Sequence, residues 1–124
     1  MPKSPRPAAG AAPLSFVDAH GGAFSSLAAA IARASGRGDA IAATSSKAIA
    51  VPAEIAVVLD EIGMKTPEVV PAARLPRDAR RVDVGAWGTE LYAGEGELER
   101  LAVARIARDR IERRVEAMAE PAAG

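Results

Sequence analysis

A chain of 124 residues is sized for one hydrophobic core and one domain. Its 16 basic and 16 acidic residues cancel, so no general electrostatic pull draws it to nucleic acid or anionic lipid. With no cysteine, disulfides, thiolate nucleophiles and cysteine-ligated metals or iron–sulfur clusters are all excluded.

Residues 1–13 mix Pro, Ala, Lys, Arg and Ser without periodicity, a composition that does not repay its own ordering entropy and reads as a flexible tail before a domain at 14–120. The tail has no apolar run of signal or membrane-span length, so a cytoplasmic protein without a membrane role is expected. Leu14-Ser15-Phe16-Val17 is a short apolar strand that ends at Asp18-Ala19-His20-Gly21-Gly22. An alanine-rich segment then predicts a helix over 25–34, stopped at Gly36 or Gly38. Ala40-Ile41-Ala42-Ala43 follows as a second strand, and Thr44-Ser45-Ser46 is its polar exit.

Pro52 suits the first position of a second helix, where Ile55, Val58, Leu59 and Ile62 recur at i, i+3, i+4 and i+7 and Gly63 closes the element. Pro67, Pro71 and Pro76 punctuate a loop, and the alternation in Arg81-Val82-Asp83-Val84-Gly85-Ala86 predicts a third strand with a partly exposed edge. A long helix is expected over 97–119. Leu98, Leu101, Ala104, Ala107, Ile111, Val115 and Met118 form its apolar stripe, opposite a solvated face of arginines and glutamates paired at i, i+4. This alternation implies a small three-layer α/β fold, with right-handed crossovers and a three-stranded parallel sheet flanked by helices.

Four pieces, in this order, resemble the low-molecular-weight protein tyrosine phosphatase and arsenate reductase family, whose members open with an apolar strand, a Cys-x5-Arg-Ser/Thr loop and a helix. Here Phe16-Val17 precedes the loop, Asp18 stands in the cysteine place, Phe24 in the arginine place and Ser25 in the Ser/Thr place, with Ser26-Leu27-Ala28-Ala29-Ala30 continuing the helix. Ala43-Thr44-Ser45 resembles the exit of the family's second strand, and Val51-Pro52 through Ile62-Gly63-Met64 the helix after it. The run from Arg105 to Val115 resembles the closing helix.

The resemblance implies a thiolate that attacks phosphorus or arsenic, an arginine that clamps the oxyanion, and an Asp-Pro aspartate that protonates the leaving group. None has its counterpart here: the first two are Asp18 and Phe24, and the acids nearest the third place are Glu90, Glu95 and Glu97, with no Asp-Pro. A carboxylate at Asp18 also repels a dianion, by roughly 1 kcal/mol per charge in water and more at lower dielectric. The simplest physical expectation is that Asp18 itself satisfies the loop N–H groups and the helix N-terminus that an anion would fill. The family's fourth strand does not fit between Ala86 and Glu97, so an edge relatives cover is expected to be open.

Other readings stay open at this point. Asp18 as a phosphotransfer nucleophile normally needs Mg²⁺ and a second carboxylate beside it, and Asp18 with His20 is an incomplete metal set, so no metal or cofactor is expected. His20, Gly21, Gly22, Ser25 and Ser26 are candidate anion-binding residues of a small-anion or nucleotide sensor. Phe24 is either a lid or a partner contact, and Trp87 and Tyr92 either cap the core edge or anchor an interface. The functional expectation is a catalytically inactive phosphatase-like domain acting as an accessory subunit or through protein contact, with a protein partner or as a homodimer.

Overall fold

The computed structural model describes residues 14–85, 87 and 96–119, so residues 1–13 lie outside it. The elements are β1 (Leu14–Asp18), α1 (Ala23–Ala34), β2 (Ile41–Thr44), α2 (Ala53–Asp60), β3 (Val69–Pro71), a 3-10 turn (Ala72–Arg74), β4 (Arg80–Asp83) and α3 (Glu97–Ala119). The fold is α/β, with one parallel four-stranded sheet in the order β3-β2-β1-β4 and helices packed against it. No helix among the described residues is long and apolar enough to cross a membrane.

The sheet thus has one strand more than the three expected. The addition is β3, within the segment read as a proline-punctuated loop, where it pairs with β2 alone. Three residues are too few to display a period of two, and a terminal proline suits an edge strand because it withholds no ladder N–H in the sheet interior. At the other end β4 pairs with β1 alone, and no described strand lies beyond it.

The register places Leu14, Phe16, Asp18, Ala42, Thr44 and Val69 on one face and Ser15, Val17, Ile41, Ala43, Val70, Arg81 and Asp83 on the other. α1 packs on β1 and β2, and the three α-helices pack on one another, so all share the first face. α1 is the helix that meets β1, β2 and both other helices, and it is buried at every residue from Ala23 to Ala32. Its alanines suit that place, because they bring neighbouring backbones close without entropic loss. Around them Phe16, Leu27, Ile31, Ile55, Leu59 and Ile111 are the largest apolar side chains fully buried in the core. The return from β3 to β4 runs against the direction of the first two crossovers, so handedness sends residues 72–79 across the second face. There the Arg81 guanidinium donates to the Ala72 carbonyl at 3.5 Å.

Gly36, one of the two expected stops, closes α1, with its N–H on the Arg33 carbonyl and the Arg37 N–H on the Ala32 carbonyl. Pro52 is the N-cap of α2 rather than its first helical residue. In α3 the inward stripe is Ala104, Ala107, Ile111 and Val115. Leu98 was expected on that stripe but is 81% exposed. At 100° per residue it lies roughly 120° around the helix from Ala104, outside the arc that the core covers.

Three of the α3 arginines reach across to α2, and Arg108 also bonds its neighbour Asp109 at 3.0 Å. Arg100 bonds Glu54 at 3.0 Å, while Arg105 and Arg108 converge on Glu61 at 2.6 and 2.8 Å. Arg108 also donates to the Val58 carbonyl, which closes the C-terminal end of α2 against α3. The hydrogen bond from Arg105, with help from Arg108, holds the Glu61 carboxyl down at about 2, against an ordinary value of 4.5. A carboxyl depressed in the folded state contributes stability that is complete above its unfolded value and is lost as pH falls toward the folded one. The stability gap between wild type and Glu61→Gln, read from urea midpoints, is therefore expected to be present at neutral pH and to shrink between about 4.5 and about 2. A gap unchanged across that range would contradict the assignment.

Candidate functional site

β1 delivers Asp18 to the carboxyl end of the sheet, facing the helix layer, 2% exposed. Four residues separate it from α1, and in that short loop the backbone amides turn back onto the side chain. His20 N–H and Gly22 N–H donate to Oδ1, both at 3.0 Å. Phe24 N–H and Ser25 N–H donate to Oδ2, at 2.9 and 3.0 Å. The last two belong to the first turn of α1, whose N–H groups have no partner inside the helix, and no N-cap side chain bonds them. One carboxylate, set back on the preceding strand, therefore caps the helix and fills the concave nest of amides, with the helix dipole in its favour.

The carboxyl end of β2 fastens this loop from outside. Ser45 N–H, Thr44 Oγ1–H and Ser45 Oγ–H all donate to the Asp18 carbonyl, at 2.8, 3.1 and 3.3 Å. Gly21 N–H donates to Ser46 Oγ at 2.8 Å, and the Gly21 carbonyl accepts from Ala50 N–H at 2.9 Å. Ser46 Oγ–H in turn donates to Thr44 Oγ1 at 3.0 Å, since the Thr44 hydroxyl proton is already on the Asp18 carbonyl. In the sequence Thr44, Ser45 and Ser46 show only a polar exit from β2; in the structure they clamp the loop. The available signal was the parallel pairing itself, which sets the exit of β2 beside that of β1.

The structure separates the candidate anion-binding residues. His20, Gly22 and Ser25 bring their amides to one point, but that point is held by Asp18. Gly21 turns its amide to Ser46, and the Ser26 amide donates to the Gly22 carbonyl within the helix. Neither hydroxyl enters the nest: Ser25 Oγ–H donates to the Gly22 carbonyl, and Ser26 Oγ is buried with no hydrogen-bond partner among the described residues. Phe24, expected to be exposed as a lid or partner contact, is instead 3% exposed. It sits in the first turn of α1 as part of the core, with the His20 ring edge-on at 4.9 Å. Trp87 is half-buried, edge-on to Phe16 at 6.2 Å, with the Arg114 guanidinium 6.0 Å from its ring centre. Tyr92, Glu90 and Glu95 lie outside the described residues.

Beside the filled nest, on the second face of the sheet, a crevice of about 440 Å³ is lined by Val17, Asp18, Ala19, Ser45, Arg81, Asp83 and Gly85. Its place at the carboxyl ends of β1 and β4 is the switch point of the sheet, where the chain leaves β1 on one side toward β2 while β4 sits on the other. Among the described residues no cluster of three or more His, Cys, Asp or Glu is placed to hold a metal ion.

Two arsenate reductases are among the solved structures that share this fold. One, an arsenate reductase in the phosphate binding state, matches at 17% identity and a TM-score of 0.66, with 86% of this chain and 95% of that chain covered. The other, an arsenate reductase in the reduced state, matches at 15% identity and a TM-score of 0.63, with the same coverage. No protein-family model and no curated protein sequence matches the chain. What these likenesses establish is an arsenate-reductase-like α/β fold.

Proposed function

We propose that this chain is a catalytically inactive, phosphatase-like domain that works through protein contact, as an accessory subunit or a homodimer. The observation that carries the reading is the grip of four loop and helix amides on the buried Asp18 carboxylate. A strand-to-helix loop of this shape stabilises an oxyanion by converging N–H groups on it, and here those donors are spent on the chain's own side chain. Phe24, in the place of the family's arginine, is a buried apolar ring that clamps no anion.

Phosphotransfer through Asp18 fares poorly on the same geometry, because a nucleophile must reach its substrate and both carboxylate oxygens are already engaged away from solvent. Sensing of a small anion would have to use the adjoining crevice, where Arg81 and Ser45 stand, rather than the nest.

The purified chain is expected to turn over neither aryl phosphate nor arsenate above the buffer rate. Turnover that disappears on Asp18→Ala would establish residual chemistry through this carboxylate, and a rate rivalling that of an enzyme would remove the reading altogether.

A further inference from the structure

β4 ends the sheet with a strand of alternating character whose outward edge no described strand covers. Val17 is in register with Asp83, and the Val84 N–H donates to the Val17 carbonyl at 2.9 Å. In a parallel ladder this turns the backbone groups of Val82 and Val84 toward β1 and those of Arg81 and Asp83 away from it. Both outward-turned residues carry charged side chains of opposite sign, and Val82, half-buried, lies between them.

We propose that this edge pairs with the same edge of a second copy, antiparallel about a two-fold axis at Val82, so that the sheet continues across a dimer. The inference rests on the reading that the domain works through protein contact, and it names the surface. With the axis at Val82, Arg81 of each copy stands opposite Asp83 of the other. Those two positions are the ones with backbone groups free to exchange both N–H···O bonds, so ladder geometry and charge select the same register. Sliding the strands by two residues sets Arg81 against Arg81 or Asp83 against Asp83, which like-charge repulsion disfavours. Asp83 uses Oδ1 to accept the Gly85 N–H at 2.9 Å, and Oδ2 remains for the arginine of the second copy. A formal net charge of zero leaves no overall repulsion between copies. Edge charges ordinarily protect a strand from pairing, but protection fails where the pattern complements itself.

Sedimentation equilibrium of the full chain at low salt is expected to show a reversible monomer–dimer system. Arg81→Asp and Asp83→Arg should each weaken it roughly tenfold or more, and the two together should restore it. Val82→Cys, the only thiol then present, should form a disulfide-linked dimer under mild oxidation, because a non-hydrogen-bonded antiparallel pair brings its Cα atoms to about 4.5 Å. Ile106→Cys, on the exposed side of α3, should not. A monomer at every concentration, a dimer indifferent to the single charge changes, or a double variant that fails to recover would each overturn the inference. A monomer would leave the filling of the nest by Asp18 untouched, since anion binding and turnover report on that separately.

Discussion

Asp18→Ala is expected to lower the unfolding free energy by about 3–5 kcal/mol, seen as a reduced urea midpoint at unchanged m-value. The truncation removes little apolar area. It does strip the acceptor from four amides, two of them in the first turn of a helix buried against the rest of the core. A buried donor left without an acceptor forfeits its full desolvation energy, far more than the net worth of a solvated hydrogen bond. A capping contact alone would account for about 1 kcal/mol, so a loss of that size would mean that Asp18 acts as an ordinary cap rather than as the ligand of the whole nest.

Gly21→Ala is expected to lose about 2–4 kcal/mol, through two separable effects. Its φ of +72° lies in the left-handed region, where a side chain costs roughly 1–2 kcal/mol. A Cβ built there would also stand 2.8 Å from the Ala50 carbonyl oxygen, which is backbone and is tied to the Gly21 loop by the Ala50 N–H bond. Gly63→Ala separates the two effects, since Gly63 has a φ of +75° but nothing within 4 Å of the added atom. Thermal or urea unfolding of both variants should give Gly63→Ala the backbone penalty alone, about 1 kcal/mol, and Gly21→Ala clearly more. Equal losses would mean that the contact between the loop and the segment after β2 relaxes freely.

Where local chemistry governs the outcome, the sequence was legible. The span of α3 follows from its uninterrupted polar–apolar period, and β1, the loop and α1 follow from an apolar run broken by glycines before an alanine block. The placement of Asp18, last in an apolar strand and a few residues ahead of a helix N-terminus, led to the expectation that its carboxylate meets the loop amides, and four of them donate to it. What escaped depends on tertiary neighbours. β3 is too short to show a period and exists because the carboxyl half of β2 offers it a free edge. Phe24 reads as a loop residue when the alanine block is counted from residue 25, but α1 begins at Ala23, and inside its first turn the ring falls on the core side. Arg100, Arg105 and Arg108 have acidic neighbours in sequence, yet Glu54 and Glu61 draw them across once α2 packs alongside, and Arg108 holds Asp109 as well.

Calorimetric titration of inorganic phosphate into wild type and into Asp18→Ala bears most directly on whether the loop is filled from within. Wild type is expected to give no binding heat and no thermal shift at millimolar phosphate, whereas the variant, its nest vacated, should bind phosphate and recover part of its lost stability. Saturable phosphate binding by the wild type, competing with no other ligand and unaltered by the substitution, would contradict it.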